Sequence, residues 1–296
     1  MSSRSLNWPQ HTASRPALLF TFALLALAGT GCVNLHVAGR AIVLDRARGA
    51  IEVLAPCAGS HPPGPAEDGP ALDPDAISLI TWNIHKNADA GWDSDLSLFV
   101  ASHALVLLQE VHFEPAITNI LEASGHQWML ASAFGLAGRD TGVMTASVVP
   151  PASACVLRQR EPLLRLPKSA IVSRYRVRGR ADTLAVANIH SINFALARGA
   201  YRAQLADVVA ELADHQGPIV FAGDLNTWTA GRKAVLEALA GSIGLKEVRL
   251  ASDARRRFLG KQVDYAFVRG LDVINAWVIE VDSSDHHPVR MTLRIP

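Results

Sequence analysis

The chain has 296 residues, with 28 Lys and Arg against 27 Asp and Glu, and so a formal charge of +1. Hydrophobic residues make up 49% and charged residues only 19%, enough for a sizeable core and too apolar for a disordered or acidic-tail protein. Three cysteines exclude a disulfide-built scaffold, and near-neutral charge excludes a uniformly basic nucleic-acid coat. Apolar runs of about 18 residues do not recur, which excludes a multi-span membrane protein.

Residues 1–32 read as a signal-like or membrane-anchor segment. Arg4 and Arg15 stand without an acid ahead of the apolar run Ala17–Ala28, and small residues lead to Cys32. These residues also resemble a bacterial lipoprotein signal ending on a lipid-modified Cys32, although Gly29 stands where leucine is usual. The expectation is an exported or envelope-associated protein, periplasmic or membrane-anchored; a cytoplasmic protein with a plain apolar leader is the alternative.

Residues 33–76 read as an N-terminal extension and a Pro/Gly-rich linker. Val33, Leu35 and Val37 alternate as in a strand. Six of the 16 prolines fall in 55–76, with four acids (Glu67, Asp68, Asp73, Asp75) and no base. Proline fixes φ and removes a donor, so the segment is expected to be an extended, solvated spacer. Cys57, near the start of that segment, and Cys155, well beyond it, are expected to be free thiols.

From Ile77 the pattern is strand-rich with short connections. Apolar runs of strand length occupy Ile77–Ile84, Ala104–Val111, Ser169–Tyr175, Thr183–His190 and Ile219–Ala222. Tyr201–Leu212 carries Tyr201, Leu205, Val208, Val209 and Leu212 at helical spacing, and 232–240 reads as a second helix ending near Gly241. Val263–Val268, Val273–Val281 and Val289–Ile295 close the chain as strands. Two packed sheets with helices outside satisfy the pattern.

Polar residues recur where these strands end: Asn83 and His85, Gln109 and Glu110, Asn188 with His190 and Asn193, Asp224 and Asn226, Asp264, and Ser284-Asp285-His286-His287. A strand holds the side chain at its end firmly, which suits a site. Singly, each is a turn former, a cap or a satisfied interior group. Jointly they make the inventory for metal-assisted phosphoester hydrolysis: oxygen ligands for a hard cation, a His–Asp pair to handle protons, and an Asp–Asn pair to orient water.

Thr81-Trp-Asn-Ile84, Leu107-Leu-Gln-Glu-Val111, Gly223-Asp-Leu-Asn226, Val263-Asp-Tyr265 and Ser284-Asp-His286 occur in the order of the endonuclease/exonuclease/phosphatase (DNase I-like) superfamily, and the domain, 77–296, resembles that family over nearly all its length. The resemblance implies an α+β fold, a four-layer α/β/β/α sandwich of two packed, mostly antiparallel sheets with helices outside. It implies Mg²⁺, or Mn²⁺, held by Glu110 with Asn83 beside it and Asp285 as a further acid. It also implies His286 at the scissile phosphate, Asp264 as its partner, Asp224 and Asn226 aligning the nucleophile, and His190 helping the leaving group or gripping phosphate. His85 and His287 fall outside the family pattern; a surface turn is expected for the first, packing or a substrate contact for the second.

Residues 249–261 carry Arg249, Arg255, Arg256, Arg257 and Lys261 against Asp253, and 158–180 carry eight bases against Glu161. Such stretches neutralise phosphates, or simply face solvent. Arg255, Arg256, Arg257 and Asn193 are the expected substrate contacts. The expected activity is Mg²⁺-dependent hydrolysis of phosphodiesters, nucleic acid first, by a monomer that associates with a membrane only through its N-terminus. The alternatives are the same chemistry on a phospholipid or inositol phosphate, and a non-catalytic envelope binding protein.

Overall fold

In the computed structural model the described residues are 35–36, 43–45, 50–52, 57, 69–162, 165–193 and 198–296. The expected signal segment, 1–32, and most of the spacer lie outside them. No helix among the described residues is long and apolar enough to cross a membrane.

Strands and helices are numbered in chain order: β1 (Leu35–His36), β2 (Val43–Asp45), β3 (Ala50–Glu52), β4 (Ile77–Asn83), α1 (Trp92–Val100), β5 (Leu105–His112), α2 (Pro115–Ala123), β6 (Gln127–Leu136), β7 (Arg139–Ser147), β8 (Ser153–Arg160), β9 (Pro167–Arg176), β10 (Thr183–His190), α3 (Arg198–Ala213), β11 (Ile219–Asp224), α4 (Ala230–Ser242), β12 (Lys246–Glu247), β13 (Arg257–Phe258), β14 (Lys261–Gln262), β15 (Asp264–Arg269), β16 (Asp272–Val278) and β17 (Val289–Arg294). The first sheet runs β16-β17-β4-β5-β7-β6-β2-β3, with β1 also on β6. The second runs β12-β15-β11-β10-β9-β8, and β13 and β14 form a separate hairpin.

Four layers follow from which faces are apolar. Leu79, Leu105, Leu107, Met291 and Leu293 of the first sheet meet Leu184, Val186, Val220 and Val268 of the second. The outer face of the first sheet, with Ile80, Trp82, Val106 and Leu108, packs under Leu96 and Phe99 of α1 and Ile117 and Leu121 of α2. Ala185, Ala187, Ile189 and Phe221 pack under Tyr201, Leu205 and Val208 of α3 and Leu236 of α4. Central strands buried on both faces read as continuous apolar runs, which is why they stood out in the sequence. The α+β sandwich expected from the motifs is the fold.

Among the described residues nearly every strand pair is antiparallel; the exceptions between strands are β4 with β5 and β10 with β11. Helices α1 and α3 supply their crossovers, as parallel pairing demands. Each parallel pair ends its two strands at one edge, so Asn83 arrives beside Gln109 and His190 beside Asp224.

Three expectations change. First, the sheet continues upstream of residue 77, because β1 and β2 pair antiparallel with β6. Second, the end of the spacer is anchored at one residue: Leu72 is buried in the inter-sheet core and its N–H donates to the Arg176 carbonyl at 2.9 Å, while Gly69, Pro70, Asp73, Asp75 and Ala76 are exposed as expected and Asp73 pairs with Arg178 at 2.8 Å. Third, Cys57 and Cys155 are joined in a disulfide, their Cα atoms 5.0 Å apart. Sequence separation misled here, since the chain folds back on itself and spacing along it says nothing about Cβ proximity.

The hairpin of β6 and β7 was not legible. It is rich in Ala, Gly, Ser and Thr, and its turn places Ala137 and Gly138 at φ 52° and 80°, a turn that asparagine or glycine usually announces.

Candidate active site

The strand ends named above converge at one mouth. Asn83 closes β4, Glu110 lies near the end of β5, His190 closes β10 and Asp224 closes β11. Asp264 opens β15 directly opposite Asp224, and His286 sits in the loop before β17.

Close approach at this mouth requires unusual backbone. Gly223 has φ 142°, and a Cβ there would stand 2.1 Å from the Ile189 carbonyl oxygen, so only glycine lets β11 lie against β10 before Asp224. Glu110 and Asn226 have φ 55° and 45°, and β5 shifts register between Leu108 and Val111. A non-glycine held in this region costs about 1–3 kcal/mol, and such strain collects at functional sites.

Two hydrogen-bonded groups meet here, one on Asp224 and one on His286, joined by Ser284, whose Oγ donates to the Asn83 carbonyl at 2.7 Å and accepts from the His286 N–H at 3.1 Å. Asn83 Nδ2 donates to Asp224 Oδ2 at 3.1 Å, and the Asn226 N–H donates to Asp224 Oδ1 at 3.1 Å. Asn226 Nδ2 donates to the Ser191 carbonyl at 3.1 Å. His190 Nε2 lies 3.5 Å from both Glu110 Oε1 and Asp224 Oδ2. His286 Nδ1 lies 2.8 Å from Asp264 Oδ2, and Trp82 Nε1 holds the His286 carbonyl at 3.2 Å.

Burial and neighbouring charge divide the titrations. Burial alone would lower His286, but the Asp264 carboxylate, with Asp224 and Asp285 beyond it, raises the ring to about 10, so it is an imidazolium. Burial pushes the Asp224 carboxyl up to about 7, with the His286 cation opposing and Asp264 and Glu110 adding. His190 is held well below its ordinary value by burial and then by Lys168, so its ring is neutral. Burial would raise Glu110, yet Lys86, His190 and Lys168 outweigh it and keep the carboxyl well below the usual range. A charged histidine–aspartate pair beside a carboxyl near neutrality is a proton donor set against an acceptor.

Glu110 and Asn83 offer carboxylate and amide oxygens, hard donors that suit a divalent cation such as Mg²⁺ or Mn²⁺. Glu110 already holds a cation, the Lys86 ammonium. Among the described residues, a set of three close metal-ligand atoms occurs only at Cys57, Cys155 and Glu211, whose sulfurs are bonded to each other. A cation at Glu110 would therefore keep several waters, as Mg²⁺ commonly does.

The remaining expected residues divide. Asp285 is more than half exposed, with Oδ2 3.8 Å from His85 Nε2 and Oδ1 4.0 Å from His286 Nε2. Arg255 is committed elsewhere: it grips Asp253 through Nε and Nη2 at 2.7 and 2.8 Å and donates to the Asp264 carbonyl at 2.7 Å, so it props Asp264. Arg256 and Arg257 are exposed near the β13–β14 hairpin, and Arg256 Nη2 reaches the Val281 carbonyl at 3.4 Å. Asn193 has its N–H on Glu161 at 2.7 Å and its carbonyl on Arg232 at 2.7 Å.

Gln109 and Asn188 leave the site altogether. Both are fully buried between the sheets, where Gln109 Nε2 donates to Asn188 Oδ1 at 2.7 Å. The basic run 158–180 also disperses: Arg174 pairs with Glu211 and Arg178 with Asp73, and only Lys168 touches the centre, at 2.9 Å from His190 Nε2. His85 is tied to Asp89 at 2.7 Å, and His287 is buried.

Sequence reasoning missed Lys86 and Arg232. The buried Arg232 guanidinium collects the carbonyls of Ile192, Asn193 and Asn226 at 2.6, 2.7 and 3.1 Å, fixing the loops after β10 and β11. It opens a helical pattern, and nothing in the sequence separates it from a surface arginine.

The Endonuclease/Exonuclease/phosphatase family model matches residues 80–286. The chain belongs to this family. Members are phosphoester hydrolases, nucleases and phosphatases among them, and generally use a divalent metal. The family member described here is 38% identical over 220 residues to a UPF0294 protein of Vibrio cholerae serotype O1, covering 74% of this chain and 78% of that one. It shares its fold with an endonuclease/exonuclease/phosphatase from Beutenbergia cavernae (TM-score 0.62, 21% identity, 75% of this chain and 72% of that one). The human Nocturnin catalytic domain with bound sulfate has the same fold (TM-score 0.62, 18% identity, 77% of this chain and 97% of that one).

Proposed function

We propose that this family member hydrolyses phosphodiester bonds with a bound divalent cation, Mg²⁺ or else Mn²⁺, and that nucleic acid is its substrate. The observation that carries the reading is the 2.8 Å His286–Asp264 pair at one mouth with Asp224, Asn226, His190, Asn83 and Glu110. The cation would supply Lewis-acid stabilisation of phosphoryl oxygens. His286, charged and braced by Asp264, faces the phosphate as proton donor and anion ligand. Asp224, steadied by Asn83 and the Asn226 N–H, orients the attacking water and accepts its proton. Neutral His190 and the Lys168 ammonium beside it bind the oxygen that leaves.

Nucleic acid is favoured by the exposed Arg256, Arg257 and Lys261 between the Asp224 and Asp264 motifs and by the exposed Arg160 and Arg165, which would supply a phosphate-binding rim. Export is favoured by the Cys57–Cys155 disulfide, because such bonds persist in oxidising compartments. We read the protein as an exported or envelope-associated monomer.

Full-length protein is incubated with plasmid DNA, RNA and a panel of phospholipids and inositol phosphates, with Mg²⁺ and then EDTA. Mg²⁺-dependent cutting of DNA or RNA that Glu110→Ala and His286→Ala lose supports the proposal. Headgroup or phosphate release alone moves the substrate to lipid or inositol phosphate, and silence on every substrate refutes the hydrolase reading.

A further inference from the structure

His85, Lys86 and Asn87 are consecutive non-glycine residues at φ 49°, 59° and 55°, and none of these residue types adopts such a run without being held there. The surroundings hold it firmly. The His85 N–H donates to Asn83 Oδ1 at 3.0 Å, the Asn87 N–H to the Ile84 carbonyl at 3.0 Å, and the Ala88 N–H to the His85 carbonyl at 3.2 Å. Asn87 Nδ2 reaches the His112 carbonyl at 2.6 Å and Glu114 at 3.0 Å, and His85 Nδ1 lies 2.7 Å from Asp89. Both neighbours of Lys86 are thus pinned through side chain and backbone. Its own side chain ends on Glu110 Oε2.

That placement conflicts with cation binding. Glu110 is the carboxylate suited to a divalent ion, its other oxygen facing His190 at 3.5 Å. An ammonium and a divalent ion cannot both contact Oε2, since like charges at contact repel strongly in a partly buried site. The Lys86 side chain is about one-third exposed (36%), so the ammonium can pivot on its flexible stem into the mouth.

We propose that Lys86 is the resident counter-ion of Glu110, displaced when a divalent cation binds, and that its freed ammonium then takes the substrate phosphate. This rests on the cation-dependent reading above. Cation and phosphate binding become coupled: each favours the arrangement in which Lys86 has left Glu110, and the coupling is reciprocal. The strained turn would be the device that aims one lysine at two successive partners.

The test uses full-length protein and Mn²⁺ as probe, followed by electron paramagnetic resonance, alone and with inorganic phosphate. In Lys86→Met, Mn²⁺ should bind roughly tenfold or more tightly than in wild type, because a unit charge has left contact with the carboxylate. Phosphate should tighten Mn²⁺ binding in wild type and do so much less in Lys86→Met. Lys86→Arg, which keeps the charge, should stay near wild type, and Lys86→Gln, which removes it, should tighten Mn²⁺ as Lys86→Met does and provides the reading if Lys86→Met does not fold. Lys246→Met, at an exposed lysine of β12, controls for overall charge; tightening there equal to Lys86→Met overturns the proposal. Wild-type Mn²⁺ binding that neither Lys86→Met nor Lys86→Gln alters overturns it while leaving the hydrolase reading intact. Absence of Mn²⁺ binding in every form overturns both.

Discussion

Asp264 Oδ2 and His286 Nδ1 stand 2.8 Å apart although 22 residues separate them. Asp264 opens a strand of the second sheet, and His286 precedes a strand of the first, so the pair exists only when the sheets have packed. Its strength shows in the ring's rise to about 10. Asp264→Asn should keep the fold and lose the charge. The His286 resonance should then titrate well below that value, and kcat on a phosphodiester should fall by about 10²–10⁴-fold. A variant that keeps both the high titration and the rate would remove Asp264 from the chemistry.

The centre was legible because its parts sit in short motifs at the ends of apolar strands, where two parallel pairs deliver Asn83, Glu110, His190 and Asp224 to one edge. What failed were inferences about a side chain's direction. Gln109 shares a motif with Glu110, yet it points between the sheets, because strand alternation puts it on the face of Leu105 and Leu107. Arg255 looked like a phosphate ligand by composition, but a bidentate grip on Asp253 two residues away satisfies it first. Lys86 left no sign at all, since three left-handed residues in succession have no sequence signature outside glycine and asparagine. Composition reports charge; only packing reports where charge points.

Two histidines far from the mouth set a pH dependence of stability. His103 Nδ1 lies 2.7 Å from the Phe99 carbonyl, and His126 Nε2 lies 2.9 Å from the His103 carbonyl. Burial first of all holds both rings below their ordinary value, with Arg290 adding at His103. Both are neutral in the fold, whereas in the unfolded chain they titrate near about 6.5. Below that pH the unfolded state binds more protons, so stability falls, and it keeps falling until the depressed folded values are passed. Above it, the contribution is complete. The raised Asp224 and His286 act with the opposite sign in this window, so the histidines' share is read as a difference: the melting temperature of His126→Gln relative to wild type should rise as the pH falls from about 7.5 to about 5.5. A slope that this substitution leaves unchanged would assign the pH dependence to other groups.

The Cys57–Cys155 bond closes a loop across 98 residues and ties the N-terminal extension to β8. A cross-link of that span limits the unfolded chain, and removing one commonly costs about 2–4 kcal/mol. Dithiothreitol and Cys155→Ser should lower the unfolding free energy by similar amounts, measured by urea titration, and the reductant should do nothing further to Cys155→Ser. An added effect there would place the sensitivity outside this bond.

Beneath the mouth, Asn188 joins the sheets. Its Nδ2 donates to the Met144 carbonyl at 2.8 Å and the Leu108 carbonyl at 3.3 Å, and its Oδ1 accepts from Gln109 at 2.7 Å. A polar group so enclosed is costly unless its partners are all present, and they are lost together. Asn188→Ala removes the donor to the Met144 and Leu108 carbonyls and the shortest of the Gln109 amide's bonds, leaving that amide on Thr81 Oγ1 at 3.1 Å and the Leu107 carbonyl at 3.2 Å, and should cost about 1–3 kcal/mol. Asn188→Leu should cost as much, because added apolar volume cannot satisfy carbonyls that Asn188 served. Gln109→Ala with Asn188→Ala should cost less than the two singles summed, by about 0.5–3 kcal/mol, since both remove one shared bond. Strict additivity in urea unfolding would mean that the amide pair is packing, and that the sheets hold their register above the site through apolar contacts alone.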